Sequence, residues 1–406
     1  MKRKLFTSFV LILALTLGGA LKYTNILVVD TGNELTSTGV KKADAWYSSY
    51  LYRQAVVLDE ALITGTSNLT NFPVLVKITD NNIKVTGAGG KVTNSNGYDI
   101  IFTDDLDNIL AHEIESYDSI NGVITAWVKV PTLYYNSDTT ILMYYGNSGI
   151  STSQENKTGV WSNGYAGVWH LGANLNDSTS NANNGTNVGA TTGVAGAIGN
   201  AISSNGASGR VTVANHASLK PSNVTISAWV YRNGAQDSWG KIAFFGQNAV
   251  NPWGPYGIQF NNTSDTQLSG QIASSTTSYP INATSSTLND LTWAYVAETY
   301  DGSTQKLYFN NDTPYSAVIN VTIADYDSTN GLGIGGRYDG NSSQAFLGSV
   351  DEVRISNVAR TADWIQAEYA VALPANQGVG AGKFVQSIGP EVPIPASVVL
   401  LIPTAM

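Results

Sequence analysis

The stretch AFLGSVDEVRISNVARTADWIQAEY, residues 345–369, decides the fold prediction. Its first half has apolar residues at the spacing of a β-strand, and its second half predicts a short helix that contains Trp364 and Ile365. Asp351 and Glu352 lie in mid-strand, where a charged side chain must be paired, exposed or bound to a cation. We therefore predict that this stretch closes a β-sandwich and then folds back onto it as a helix.

The composition sets limits on the class of protein. A chain of 406 residues is long enough for more than one domain. Only 13% of the residues are charged and 40 are glycine, which is typical of extracellular β-structure with many turns. The net charge of −9 argues against nucleic acid and anionic membrane surfaces as partners. The chain has no cysteine, so disulfides and thiolate chemistry are excluded.

The N-terminus predicts export. Residues 1–20 combine a basic start, an apolar run and small residues near position 20, which is the pattern of a secretory signal peptide. The alternative is an uncleaved membrane anchor, although the apolar run is short of the roughly 20 residues that a bilayer requires. We expect a secreted or surface-associated protein, with residues 21–45 as a flexible lead-in.

Residues 46–158 form a predicted first domain of short strands separated by turns. The segments YRQAVVLDEALITGTSNLTNFPVLVKIT (52–79), HEIESYD (112–118), ITAWVKVPTL (124–133) and SDTTILMYYGN (137–147) resemble the domain of unknown function 2341 family. This resemblance implies a β-sandwich and implies no known activity.

Residues 159–373 form a predicted second domain. Four segments precede the closing strand: GVWHLG (167–172), NDSTSNANNGT (176–186), VTISAWVYR (224–232) and LTWAYVAETYDGSTQKLYFNN (291–311). In this order they resemble the laminin-G-like jelly roll of the concanavalin A-like lectin/glucanase superfamily. The predicted fold class is therefore all-β, with two tandem antiparallel β-sandwiches, the second a concanavalin A-like jelly roll with a short C-terminal helix. Residues 232–286 match no motif.

The C-terminus is a predicted tail rich in glycine and proline, residues 374–406. Its segment PEVPIPASVVLLIP (390–403) resembles the start of a C-terminal sorting signal of the Pro-Glu-Pro type. The alternative is a frayed or truncated terminus.

Calcium is the one cofactor that the sequence suggests. In jelly rolls of the resembled superfamily, an aspartate in the last-strand motif often holds a structural Ca²⁺, which here would be Asp351. Asp177, in a loop rich in side-chain oxygens, is the second candidate, because Ca²⁺ prefers several oxygen ligands. The alternative for Asp351 is a salt bridge to Arg354 or Arg337. The alternative for Asp177 is an Asx-turn.

Three aromatic residues are candidates for sugar binding. Trp239, Trp253 and Tyr256 lie in a polar segment rich in glycine and proline, where a ring is more often exposed than in an alternating strand. Asn261, Asn262 and Gln271 could add hydrogen bonds. The alternative is that these rings cap the edge of the sandwich.

Catalysis is not expected. Related glucanases have a strand with two glutamates and an intervening aspartate, and this sequence lacks that triplet. We do not expect the acidic clusters at 112–115 and 351–352 to place two carboxylates on one face about 5 Å apart, as a retaining mechanism requires. The three histidines are far apart in sequence, so zinc is not expected either.

The favoured function is non-catalytic binding outside the cell, with a glycan or surface polymer as the partner. One alternative is a structural or adhesive surface protein that binds other surface proteins. A divergent glycoside hydrolase is the third hypothesis.

Overall fold

The computed structural model confirms an almost entirely β-sheet protein. It describes residues 11–13, 25–27, 47, 49–246, 254–324 and 329–393. Strands β1 (Leu11–Leu13) and β2 (Asn25–Leu27) form a short antiparallel pair. In the described part of the chain, no helix is both long enough and apolar enough to cross a bilayer. The remainder of the predicted signal segment lies outside the described residues.

Six strands build the first sandwich. They are β3 (Tyr52–Leu58), β4 (Leu69–Thr79), β5 (Ile101–Thr103), β6 (His112–Asp118), β7 (Val123–Leu133) and β8 (Thr139–Tyr145). One sheet has the order β3-β8-β5 and the other the order β4-β7-β6. Both faces of β4 are buried along most of its length, because Val74 and Val76 face the core and Leu75, on the opposite face, is also covered. Another element must therefore pack on this strand.

A short helix, α1 (Lys157–Val160), leads into the second sandwich, which has fifteen strands. They are β9 (Tyr165–Trp169), β10 (Gly185–Val188), β11 (Thr191–Ala195), β12 (Asn200–Asn205), β13 (Arg210–Val213), β14 (Val224–Arg232), β15 (Lys241–Phe245), β16 (Tyr256–Asn261), β17 (Ser264–Ala273), β18 (Ser278–Asn282), β19 (Trp293–Tyr300), β20 (Thr304–Phe309), β21 (Tyr315–Val318), β22 (Leu332–Ile334) and β23 (Leu347–Ser356).

These strands form two facing sheets. The groove sheet has the order β10-β13-β22-β15-β16-β17-β18. The junction sheet has the order β11-β12-β23-β14-β19-β20-β21, with β9 also paired to β23. The predicted closing strand is confirmed, because β23 pairs with β12, β14 and β9 and thereby joins the early and middle parts of the domain.

The predicted helix after the closing strand is α2 (Ala362–Ala372). The hydroxyl of Thr361 accepts a hydrogen bond from the backbone N–H of Trp364 and caps the N-terminus of the helix. The Trp364 ring packs edge-on against Phe72 of β4, with their centroids 4.7 Å apart. Tyr369 stacks on Trp229, which lies on the outer face of the junction sheet. The helix therefore joins the core of the first sandwich to the outer face of the junction sheet in one apolar cluster, while the interior of the second sandwich is a separate core.

The chain then returns to the first sandwich. Strand β24 (Val385–Ile388) and strand β25 (Val392–Pro393) pair with β3, which would otherwise be a sheet edge. Phe384 and Val385 are buried there. An unpaired strand edge is an aggregation hazard, so this return covers exposed backbone groups. Strands β24 and β25, which fall in the predicted tail, therefore belong to the first sandwich. Residues 394–406 lie outside the described residues.

Candidate functional site

The groove sheet presents a polar outer face. In β16, Ile258 and Phe260 point into the sandwich core, so Gln259 between them points outward. Lys241 of β15 lies directly opposite Gln259, and Gln271 of β17 lies opposite Gly257. The register therefore brings one lysine and two glutamines from three strands onto the same face.

These side chains form the floor of a groove of about 370 Å³, within the range of about 300–1,000 Å³ that is typical of small-molecule sites. Its lining residues are Trp239, Lys241, Gln259, Gln271, Ser278, Pro280 and Gln344. Gln259 is 0% and Gln271 4% exposed, although both lie on the outer face. The two amides are oriented: Gln259 donates to Gln271 Oε1 at 3.4 Å, and Gln271 donates to the carbonyl of Gly254 at 3.0 Å.

Trp239 stands at the rim of the groove in a strained backbone conformation. A tight turn precedes β15, in which Gly240 N–H donates to the carbonyl of Asp237 at 2.9 Å. Within this turn Trp239 has a φ of 61°, which costs a residue with a Cβ about 1–2 kcal/mol. Strained backbone conformations cluster at functional sites, so the positive φ of the half-buried Trp239 beside a groove indicates a functional role for this residue.

The structure separates the three predicted aromatic residues. Trp239 lines the groove, and its role in sugar binding stays a prediction. The prediction for Tyr256 is corrected, because this residue alternates with Gly257 and faces the core, where its ring stacks on Phe245 at 5.4 Å. The Tyr256 hydroxyl donates to the carbonyl of Leu219 at 2.7 Å. Trp253 lies outside the described residues.

Asp177 is engaged by its own loop. Its Oδ1 accepts hydrogen bonds from the backbone N–H groups of Val168 and Thr179. Its Oδ2 accepts from the Thr179 hydroxyl and from the backbone N–H of Asn183. This pattern corresponds to the Asx-turn alternative, in which a carboxylate organises its loop.

Asp351 is fully buried at a bulge of β23. Its carboxylate accepts hydrogen bonds from the backbone N–H groups of Ile198 and Glu352. Burial and the neighbouring Glu352 carboxylate raise the pKa of Asp351 well above its ordinary value. The predicted salt-bridge alternatives do not form in the described residues, because Arg354 pairs with Glu352 and Arg337 pairs with Asp339. Calcium at Asp177 or Asp351 stays a prediction.

A second polar cluster, which we call the junction cluster, lies between the sandwiches and consists of Glu113, Glu115, His170, Glu352 and Arg354. His170 Nδ1 is 2.7 Å from Glu352 Oε1, and its Nε2 is 3.2 Å from Glu113 Oε2. Burial opposes protonation, but the two carboxylates raise the pKa of His170 well above its ordinary value. Arg354 donates to Glu352 at 2.7 Å, and its guanidinium lies 4.4 Å from the Trp127 ring centroid.

Three residues of the junction cluster are of the types that bind metal ions and lie close together. They are far apart in the sequence, so no sequence motif identified them. Three side chains each offer one ligand atom, and these atoms lie within 4.8 Å of one another: Glu115, His170 and Glu352. Both ring nitrogens of His170 already face carboxylates, so an imidazolium accounts for these contacts without a metal. Burial and the charge of Glu352 raise the pKa of Glu115 to about 7. We interpret the cluster as an ionic contact between the two sandwiches.

Two family models match parts of the chain. Residues 205–366 match the concanavalin A-like lectin/glucanases superfamily, and residues 96–169 match the domain of unknown function 2341 family. Both resemblances drawn from the sequence motifs are thereby confirmed. No curated protein matches the sequence.

Solved structures show distant similarity. The binding domain of Paraclostridial Mosquitocidal Protein 1 is 16% identical, with a TM-score of 0.41 over 52% of each chain. This chain thus spans about half the length of that protein. Domain 4 of AbnA, an extracellular arabinanase from Geobacillus stearothermophilus solved with arabinotriose, is 20% identical with a TM-score of 0.41, over 51% of this chain and 98% of that one. Trypanosoma rangeli sialidase is 11% identical with a TM-score of 0.40, over 64% and 44%. Similarity at this level does not identify a ligand.

Proposed function

We propose that this protein binds carbohydrate without cleaving it, and that the groove lined by Trp239, Gln259 and Gln271 is the binding site. The observation that carries the proposal is the strained indole at the rim above two buried, oriented amides. A sugar ring offers an apolar face that fits an aromatic ring and hydroxyl groups that fit planar amides. The groove supplies both kinds of contact within one sugar-sized space.

The composition of the groove favours binding over hydrolysis. A glycosidase of the usual kind requires two carboxyl groups that flank the scissile bond. Among the described residues that line the groove there is one lysine and no aspartate or glutamate. Glu298 lies below the floor, but it is fully buried inside the sandwich and cannot reach a bound sugar.

We further propose that the protein acts outside the cell. The basic and apolar pattern of residues 1–20 and the low content of charged residues support export. In this proposal the first sandwich is a rigid support, because α2 and the junction cluster fix it to the junction sheet. The groove sheet is then free to face a surface polymer.

The test is a glycan array probed with the wild-type protein, Trp239→Ala and Trp293→Ala. Trp293 is the matched control, because it is also partly buried but lies on the junction sheet, 5.4 Å from the ring of Tyr231. We expect Trp239→Ala to lose at least about tenfold in affinity for the glycan that the wild-type protein selects, as hot-spot aromatic residues do. Trp293→Ala should bind like the wild type.

Other outcomes would favour the other hypotheses. A blank array with a folded protein would favour an adhesive role with protein partners. Release of reducing sugar from a polysaccharide panel would favour a hydrolase. Equal binding by Trp239→Ala and the wild type would place the sugar site away from this groove.

A further inference from the structure

The floor of the groove contains a buried lysine, Lys241. Lys241 is only 2% exposed and lies on the outer face of the groove sheet, away from the sandwich core. Its ammonium group donates to Gln259 Oε1 and lies 3.9 Å from the centroid of the Phe244 ring. One amide oxygen and one aromatic face leave capacity on an ammonium group that can donate three hydrogen bonds.

The surroundings of Lys241 contain no compensating negative charge. In the described chain no carboxylate lies within ion-pair distance of its Nζ, in a protein whose net charge is −9. The charged side chain that acts on Lys241 is Arg337, which is also positive. Arg337 forms its own ion pair with Asp339. Burial and Arg337 together lower the pKa of Lys241 well below its ordinary value. A buried amine that lacks an anion is costly unless a ligand supplies the anion.

An unsatisfied hydrogen-bond acceptor lies in the same cross-strand row as Lys241. Lys241 is opposite Gln259, Gln259 is opposite Ser269, and Ser269 is opposite Asn282. The Oδ1 atom of Asn282 is buried and has no hydrogen-bond partner. This row therefore contains one ammonium group without a carboxylate partner and one amide oxygen without a hydrogen-bond partner.

We propose that the groove selects acidic glycans, with a sugar carboxylate or sulfate bound at the Lys241 ammonium group. This inference rests on the proposed function and specifies its ligand class. The anion would form a charge-assisted hydrogen bond with Lys241, while Trp239 and the two glutamines hold the sugar ring. A neutral sugar would use only the ring contacts.

The experiment compares matched ligands that differ in charge. The probes are trigalacturonate against its fully methyl-esterified form, and a sulfated chondroitin hexasaccharide against the desulfated, carboxyl-reduced one. Dissociation constants are measured by titration calorimetry at one fixed ionic strength for the wild type, Lys241→Met and Lys306→Met. Lys306 is the matched control, because it is a partly buried lysine on β20 of the junction sheet.

For the wild type and Lys306→Met, we expect the anionic member of at least one pair to bind about tenfold or more tightly than its neutral partner. We expect Lys241→Met to bind both members of the pair with equal affinity. A preference in the trigalacturonate pair identifies a carboxylate as the anion, whereas a preference in the chondroitin pair alone shows that the groove selects an anionic sugar, since that pair differs in both carboxylates and sulfates.

Equal wild-type affinity within both pairs would overturn the charge inference and leave glycan binding intact. A preference that persists in Lys241→Met would overturn the role of Lys241. Binding of no glycan at all would overturn the proposed function and this inference with it. The wild-type comparison does not depend on whether Lys241→Met folds.

Discussion

Glu298 provides the sharpest test of the packing beneath the groove. Its carboxyl group lies between the two sheets of the second sandwich and is fully buried. Gly270 of the groove sheet passes so close that a Cβ there would lie 2.7 Å from Glu298 Oε1. Oε1 accepts a hydrogen bond from Gln305 at 2.7 Å, and Oε2 has no partner. Burial raises the pKa of Glu298 to about 8, from an ordinary value of 4.5.

The sign of the pH effect follows from this shift. Between pH 4.5 and about 8 the folded protein keeps the Glu298 proton that the unfolded chain releases. The contribution of Glu298 to stability is therefore fully present below pH 4.5 and is lost as the pH rises to about 8. The loss is about 1.4 kcal/mol per pH unit, so at pH 7 it reaches roughly 3 kcal/mol.

Glu298→Gln keeps the shape of the side chain and removes the titration. We expect its free energy of unfolding, relative to the wild type, to rise by about 1.4 kcal/mol for each unit between pH 5 and pH 7.5. Any packing change caused by the amide is the same at every pH and does not alter this slope. Subtracting the wild-type curve also removes the contributions of Glu115 and His170, which are present in both proteins.

The assay is urea denaturation followed by tryptophan fluorescence at six pH values. Glu155→Gln is the control for the loss of one carboxylate, because Glu155 is exposed. Parallel wild-type and Glu298→Gln curves across this range would refute the reasoning, since they would mean that Glu298 is ionised or solvated in the folded protein.

Four further outcomes are expected. Trp239→Gly should be about 1 kcal/mol more stable than Trp239→Ala by urea denaturation, because alanine retains the strain of a positive φ; the reverse order would refute the strain. Lys241→Met should raise the free energy of unfolding by about 1 kcal/mol, since the buried amine lacks an anion, and a lower melting temperature would contradict this. Arg354→Met should lower the free energy of unfolding by about 3–5 kcal/mol, because the buried Glu352 and Glu368 lose their contact with the guanidinium group, whereas Arg232→Met, whose partners are exposed, should lower it much less. Truncation after residue 383 should lower the melting temperature and promote aggregation on size-exclusion chromatography by exposing β3, with glycan binding retained; an unchanged monomer would show that the C-terminal strands do not protect that edge.

Local sequence patterns were sufficient to predict the closing strand, the helix after it and one hairpin of the second sandwich. The apolar spacing of residues 347–356 predicts a strand, and the segment from Thr361 onward predicts a helix; both are present as β23 and α2. The turn at Asp301 and Gly302 likewise predicts the hairpin of β19 and β20. These features depend on side-chain periodicity and turn chemistry within a few residues, which a single sequence displays directly.

The candidate site could be predicted only in part. Trp239 and Gln271 were recognisable as residue types suited to sugars. Gln259 alternates with apolar residues as in any strand with one exposed face, and Lys241 precedes four apolar residues in a strand that reads as core. Which polar residues meet depends on the register of three strands. Tyr256 was misplaced because a single ring next to glycine and proline gives no indication of which face its strand turns inward.

The sequence by itself determined the type and order of the elements, because strand periodicity, turns and a capped helix are local properties. Only the tertiary structure decided that α2 and the junction cluster attach the first sandwich to the outer face of the junction sheet, and that the chain returns to cover β3. It also decided that Lys241, Gln259 and Gln271 share a groove. The physical reason is that burial, strand register and charge pairing are set by residues up to hundreds of positions apart, whose proximity no local pattern encodes.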